Sequence, residues 1–468
     1  MNRRFERAKP EEQGVSSTAL VKLIEGMKRQ MAEKEDYAFH SVMILRHGKV
    51  IAEGSFAPFE QAQAHLMFSL SKSFTSTAIG ISVEEGLLSL DDKVIDFFPE
   101  MRGIAKGTYT DDLTIRHLLC MSAGQDQENM MTGNWVEAFF SQPISHAPGT
   151  KFMYNTLGTY ILSAILQKVS GTTLEAYLEP RLFEPLGIRE HHWHQSPQGI
   201  SAGGFGLMIN VEDIAAFGQL YLNKGVFNGK RILSERYVTD ATSVQIANGE
   251  DVNSDWTQGY GYQFWMCRNG AYRGDGAYGQ YCLVMPDEDM VIGITAGLSD
   301  LQAPLDLIFE TLIGEVSDVA LPPSDKSFEL SQMMKSLMIE FAADKAEYAV
   351  DFEGDFSLSE ALYGCSDIYV KLSEKGLELS LRNEYSHFEI NTTIGEWSKT
   401  KLFFLGGEMA ASAAGAWIGE GTYRLEIRFT ESAVVDYYEF KIGDVLSIHY
   451  KRWINHWETR DGIIEMIS

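Results

Sequence analysis

The chain has 468 residues, and 65 acidic against 39 basic side chains leave it with a formal charge of -26. That length allows two or three domains and ample material for a packed core. The charge argues against nucleic acid and anionic bilayers as partners, because it repels the phosphates of both.

The first ten residues carry charge but no apolar stretch follows them, and no run approaches the roughly 18 apolar residues of a membrane span. The expectation is a cytoplasmic protein with no membrane association. Cys120, Cys267, Cys282 and Cys365 have no paired short spacing, so they read as buried thiols rather than a zinc site or disulfide framework. Residues 11–34 carry helical periodicity, with Leu20, Leu23, Ile24 and Met27 on one side. Phe39 to Leu45 and Val50 to Phe56 read as antiparallel strands joined by a tight turn at Arg46-His47-Gly48-Lys49.

Met67-Phe68-Ser69-Leu70-Ser71-Lys72 then opens an apolar helical run through Phe74, Ala78, Ile79 and Ile81. With a helix starting at Ser69, Lys72 lies one turn on and shares its face. A hydroxyl and an amine then sit side by side, and the helix start turns free N-H groups and a positive dipole end toward any charge developing on an oxygen. Ser69 thus reads as nucleophile and, through its own N-H, as half of an oxyanion hole. Ser71 points about 100° away from Lys72 and fits less well. The same spacing recurs at Ser398-Lys399-Thr400-Lys401, but in a polar, strand-rich stretch with no helix behind it, and no role is assigned there.

Glu84-Glu85-Gly86 closes the helix, more helical text follows around Leu113 to Met121, and helix and loop dominate to about residue 240. Within that span, Pro148 to Thr156 precedes a helix at Tyr160 to Val169, and a tyrosine in such a loop, Tyr154, can reach over the serine. Alternation returns at Tyr260 to Arg268, Gln280 to Met285 and Met290 to Ala296. Tyr272-Arg273-Gly274-Asp275-Gly276-Ala277-Tyr278-Gly279-Gln280 is glycine-rich and enters a strand. Its glycines let a substrate approach the sheet edge, and the Ala277 N-H after Gly276 can complete the oxyanion hole. Taken singly, Tyr154 reads rather as a core ring, and the glycines read equally as a simple hairpin loop.

Strands from both ends of the first 300 residues, with helices between them, predict an α+β domain. It has one antiparallel sheet flanked by helices, with a helical subdomain beside it and a cleft between. Leu321-Pro322-Pro323-Ser324-Asp325 marks a boundary, so the domains are predicted at 1–320 and 325–468. Beyond it come a short helical stretch near Leu330 to Phe341 and period-two runs at Ile368 to Leu372, Leu377 to Leu381 and Tyr423 to Phe429. These predict a small all-β, barrel-like domain.

In order and spacing the three motifs together resemble the serine β-lactamase and penicillin-recognising family, most closely its class C-like esterase and nylon-oligomer-hydrolase branch, over roughly residues 10 to 310. Ser69-Leu70-Ser71-Lys72 is similar to the nucleophile motif, Tyr154-Asn155-Thr156 to Tyr-x-Asn, and Gly274-Asp275-Gly276 stands in the place of Lys-Thr-Gly or His-x-Gly. Leu113 to Leu119 before the Ser122-Ala123-Gly124 turn, and Gly203-Gly204-Phe205-Gly206-Leu207, look like the same family. The resemblance implies that Ser69 attacks a carbonyl, forms an acyl-enzyme and is released by water, with Lys72 and Tyr154 catalytic and no cofactor.

Either Lys72 or Tyr154 can be the proton acceptor; each must drop about 3 units from its ordinary value to act near neutral pH. An Asp275 reaching into the cleft would stabilise the ammonium and tilt the assignment toward Tyr154. Thr156, Asp275, Gly276 and Tyr278 are the candidate substrate-binding residues. Two departures bear on the substrate. Thr156 puts a hydroxyl where the family has an amide, and Gly274 and Asp275 replace a cation or imidazole and a hydroxyl. A carboxylate there is a poor host for a β-lactam's own carboxylate. The expectation is a serine hydrolase of esters or small amides. The alternatives are a non-catalytic binding or regulatory protein on the same scaffold, and a true β-lactamase or D,D-peptidase.

His191-His192-Trp193-His194 cannot converge on one ion from consecutive positions and reads as a solvated loop, so no metal is expected. Tyr109, Trp135, Trp193, Tyr272 and Tyr278 read as core or pocket aromatics.

Overall fold

β1 (Ala38–Arg46) is buried at all nine positions, and β2 (Lys49–Ser55) is buried at Val50, Ile51, Ala52 and Gly54. His47 and Gly48 between them both take positive φ, 49° and 69°, which is the two-residue turn whose twist matches a hairpin. The computed structural model describes residues 4–34, 37–404, 406–443, 445–455 and 458–467. Its longer helices are α1 (Ser17–Glu33), α2 (Ser71–Glu84), α3 (Thr156–Ser170), α4 (Val211–Leu222), α5 (Ala303–Leu312) and α6 (Lys326–Lys335).

β1 and β2 join β3 (Trp265–Met266), β4 (Tyr272–Gly276), β5 (Gln280–Met285) and β6 (Met290–Gly297) in one six-stranded antiparallel sheet of order β2-β1-β6-β5-β4-β3. Val42 faces Ile294, Gly293 faces Cys282 and Cys282 faces Gly274 across the ladder. α4 packs on β1, β5 and β6, and α1 packs on β1 and α5, so a strand that is apolar on both faces has both covered. The α+β architecture with strands from both ends is therefore as the sequence predicts.

α2 runs through the middle of this unit, buried from Ser71 to Ser82, with Phe74 stacked on Phe217 of α4 at 3.9 Å between centroids. Its hydroxyls are all spoken for: Ser73 Oγ donates to Gln263 O, Thr75 Oγ1 to Gly203 O, and Ser76 and Thr77 pair with the Tyr237 and Tyr221 hydroxyls. Pairing removes the cost of about 1–3 kcal/mol that an unmet buried polar group carries.

Two elements differ from expectation. Only Trp265 and Met266 of the stretch 260–268 join the sheet. Gln263 turns to φ 64°, and its side chain donates to Leu118 O and Leu119 O while accepting from Thr159 Oγ1, so tertiary hydrogen bonds override the alternating pattern. The triple-histidine stretch is not a solvated loop. His192 and Trp193 form a short strand paired with Met208 and Leu207, Trp193 is fully buried, and His191 lies between Glu175 and Glu179 at 2.9 and 2.6 Å.

The chain forms two compact units, one of Met1–Gly54 and Ala64–Lys335, the other of Ser55–Gln63 and Ser336–Ser468. The division falls after α6 because that helix packs on α1. In the second unit ten strands, β7 (Phe352–Leu362), β8 (Cys365–Ser373), β9 (Gly376–Arg382), β10 (His387–Thr393), β11 (Ser398–Phe404), β12 (Gly407–Gly419), β13 (Thr422–Phe429), β14 (Val435–Ile442), β15 (Leu446–Asn455) and β16 (Glu458–Ile467), form one antiparallel sheet. Its order is β10-β9-β8-β7-β16-β15-β14-β13-β12-β11, and Thr400 Oγ1 donating to Glu389 O brings the outer strands β11 and β10 together. Residues 55–63 belong here because Ala57 bonds to the main chain of Leu337 and Ile339, and Gln63 Nε2 donates to Thr430 Oγ1. Among the described residues no helix is long and apolar enough to cross a membrane.

Candidate active site

Ser69 sits in a 3-10 turn, Phe68–Leu70, that runs directly into α2, so the α-helix begins two residues later than its sequence suggests. The cause is Phe68, held at φ 47°, a conformation that costs a residue with a Cβ about 1–2 kcal/mol. Phe68 packs edge-on against Tyr278, itself at φ 65°, with ring centroids 5.3 Å apart. Ser71 is committed to structure: its hydroxyl donates to Phe68 O at 2.7 Å and accepts from Leu207 N at 3.1 Å.

The 3-10 turn still leaves Lys72 beside Ser69. Its Nζ donates to Ser69 Oγ at 2.9 Å, Thr156 Oγ1 at 3.3 Å and Gly204 O at 2.7 Å, and the side chain is buried while Ser69 is partly exposed. Burial brings the Lys72 ammonium down to about 7, against the carboxylates of Glu128 and Asp275, which favour its charged form. The Tyr154 hydroxyl is hydrogen-bonded to Ser69, and the Lys72 ammonium lies 4.8 Å from the centre of its ring. Trp265 stacks on the same tyrosine at 5.5 Å. Burial pushes the Tyr154 phenol up, only partly offset by the Ser69 hydrogen bond, so it stays protonated near neutral pH.

Tyr154 is delivered by the N-terminus of α3. Asn155 caps that helix, its Oδ1 accepting from Gly158 N at 2.9 Å, a contact worth about 1 kcal/mol, and its Nδ2 donates to Gln125 Oε1. Thr156 therefore serves Lys72 directly. The glycines around the site are spacing devices. A Cβ on Gly204 would lie 2.6 Å from Thr156 Cγ2, one on Gly274 2.4 Å from Leu70 Cδ1, and one on Gly276 2.2 Å from Met67 O. β4 thus lies directly against the turn carrying Ser69, with Ala277 and Tyr278, both partly exposed, just beyond it.

Asp275 does not offer a free carboxylate to substrate. Arg273 and Asp275 are two apart on a strand and share a face, and Arg273 Nε donates to Asp275 Oδ2 at 2.7 Å. Burial still pushes the Asp275 carboxyl up to about 6, opposed by Arg273 and Lys72. Arg273 is fully buried, donates to Asp255 O and Cys267 Sγ, and lies 4.3 Å from the Trp256 ring centre. Sequence reasoning missed this pair, the Gly204 carbonyl, and Glu128, whose Oε1 accepts from Leu157 N at 2.5 Å. Only the pair had a local signal, the two-residue spacing in a strand. Among the described residues no cluster of side chains suits a metal ion.

A family model described as Beta-lactamase matches residues 24–304, more than half of the chain. The chain belongs to the β-lactamase family. Within this family it is similar to a 6-aminohexanoate-dimer hydrolase of Paenarthrobacter ureafaciens, 25% identical over 314 residues that cover 61% of this chain and 78% of that one. It is also similar to a lovastatin esterase of Penicillium rubens, 27% identical over 175 residues, covering 31% and 43% of the two chains. The octameric penicillin-binding protein homologue from Pyrococcus abyssi has the same β-lactamase-family fold, at TM-score 0.52 and 20% identity over 88% of this chain and 98% of that one.

Proposed function

We propose that the protein is a serine hydrolase that forms an acyl-enzyme on carboxylic esters or small amides. The observation that carries this reading is the Ser69-Lys72 contact, with an amine whose proton balance lies near neutrality. A neutral Lys72 keeps two N-H groups for Gly204 O and Thr156 Oγ1 and turns its lone pair to the Ser69 hydroxyl. It takes that proton as Ser69 Oγ bonds to the substrate carbonyl carbon. The oxyanion meets the N-H groups of Ser69 and Ala277. As the carbon-oxygen or carbon-nitrogen bond breaks, the leaving group is protonated through Tyr154, which Lys72 recharges, and water then cleaves the acyl-Ser69 ester by the reverse transfers.

Similarity to a 6-aminohexanoate-dimer hydrolase and to an esterase supports acyl transfer without choosing between them. The substrate side is narrowed by β4. Gly274 has no room for a cationic side chain, and Arg273 is buried on Asp275, so no free cation there awaits a substrate carboxylate. A chromogenic acetate ester should turn over, nitrocefin should be a poor substrate, and a fluorophosphonate should label the peptide containing Ser69. Labelling elsewhere, or faster hydrolysis of nitrocefin than of the ester, would refute the proposal.

The Tyr154→Phe variant separates the two candidate bases. Its turnover is expected to fall about 100-fold, while the rise of kcat/KM with pH still centres near 7, because that limb belongs to Lys72. Disappearance of the limb in this variant would make the tyrosine the base.

A further inference from the structure

Glu128 lies in an irregular stretch between the Ser122-Ala123-Gly124 turn and the helix that starts at Trp135, and it is held there from both sides. Gln125 is buried, donates to Phe139 O at 2.9 Å and Gln142 O at 3.3 Å, and accepts from Asn155. Asn129 Nδ2 donates to Ala138 O at 2.7 Å, and Asn129 Oδ1 accepts from Gln142. Two pinned amides thus bracket one carboxylate. That carboxylate accepts the N-H groups of Thr156 and Leu157, the first two residues of α3, while Asn155 takes the N-H of Gly158. A helix of fifteen residues points its positive end at Glu128. The main chain that binds Glu128 carries, on Thr156, the hydroxyl that binds Lys72.

We propose that Glu128 is a positioning residue whose carboxylate holds the proton balance of Lys72, and with it the pH at which Ser69 becomes nucleophilic. The inference rests on Lys72 as proton acceptor and adds what tunes it. The groups that face Lys72 are Ser69 on its own turn, Tyr154 and Thr156 from the start of α3, Asp275 from β4 and Glu128 from the loop. Asp275 also favours the charged form of Lys72, but its carboxylate is paired with Arg273 at 2.7 Å. Among the described residues Glu128 has no cation in contact: it accepts main-chain N-H groups and interacts through space with Lys72. Burial raises its carboxyl, and the two N-H groups and Lys72 pull it back toward the charged form. The Glu128 charge acts on Lys72, favouring its protonated form, and also on the Tyr154 phenol, which it helps to keep protonated. On Lys72 the charge raises the proton affinity that burial would otherwise depress further.

The test compares parent, Glu128→Gln and Glu128→Asp as full-length chains. The readout is the pH dependence of kcat/KM on a chromogenic acetate ester, together with the pH dependence of the rate of fluorophosphonate labelling at Ser69. Glutamine keeps an oxygen for the α3 N-H groups but carries no charge. Its acidic limb should move down by about one unit in both assays. Its plateau should fall a few fold, since a weaker base accepts the serine proton less readily. Aspartate should return the limb toward the parent position. A helix cap without an electrostatic role would change the melting temperature and leave the limb in place. A parent limb that stays put in Glu128→Gln overturns this inference alone. A parent profile flat from pH 6 to 8 overturns the reading of Lys72 and this inference with it.

Discussion

Removing the Ser69 hydroxyl and removing the Lys72 amine are expected to cost nearly the same, and removing both is expected to cost no more than either. Ser69→Ala deletes the attacking oxygen. Lys72→Met deletes the proton acceptor and leaves Thr156 Oγ1 and Gly204 O without the donor that now binds them at 3.3 and 2.7 Å. Each single variant should lower kcat/KM on the ester by about 1,000-fold or more, the upper range for loss of a general base. The double variant should match the worse of the two, because groups that act as one unit do not contribute additively. Additive losses would mean that Lys72 acts on a step Ser69 does not take part in, and would break the proposed proton path.

Gly276→Ala should be nearly as damaging without removing any functional group. Its new Cβ would lie 2.2 Å from Met67 O, and Met67 O is the acceptor of the Leu70 N-H that closes the turn carrying Ser69. Main chain cannot swing aside as a side-chain tip can, so either β4 or the turn must move by about an ångström. A displacement of that size is enough to cost about 100-fold in rate, with overpacking adding about 1–3 kcal/mol of destabilisation. Gly274→Ala is the informative comparison. Its Cβ meets Leu70 Cδ1 at 2.4 Å and Ser73 Oγ at 2.8 Å, both side-chain atoms, and it should cost measurably less. Equal losses of ester turnover and melting temperature in the two variants would contradict this account of the glycines.

The substrate-facing residues show where local reading stopped. A carboxylate at position 275 that reached freely into the cleft would tilt the choice of base, open between Lys72 and Tyr154 in the sequence, toward Tyr154. The carboxylate is instead bound by Arg273, and burial of Lys72 brings that amine near neutrality while the phenol stays protonated. Both side chains point the same way because strand neighbours two apart share a face. What the spacing could not reveal is that Trp256 and Trp265 would bury the guanidinium with its partner. The strand expected over 260–268 shrank to Trp265 and Met266 for a similar reason, since Gln263 is held by Leu118, Leu119 and Thr159 from distant parts of the chain.

Sequence by itself determined the elements whose cause is local. These are the hairpin of β1 and β2 around a turn rich in positive φ, the buried helix behind Ser69, and the one-turn spacing that sets Lys72 beside it. The alternating strands of the C-terminal unit belong with them. Each follows from a period of two or of 3.6 residues and from turn chemistry within a few positions. The tertiary structure decided what depends on burial and on groups far apart in the chain: the proton balance of Lys72, the pairing of Asp275 with Arg273, the placement of Glu128 at the start of α3, and the closeness of Gly276 to Met67. Desolvation and contact between distant segments exist only once the chain has packed, so no reading of neighbours along the sequence could supply them.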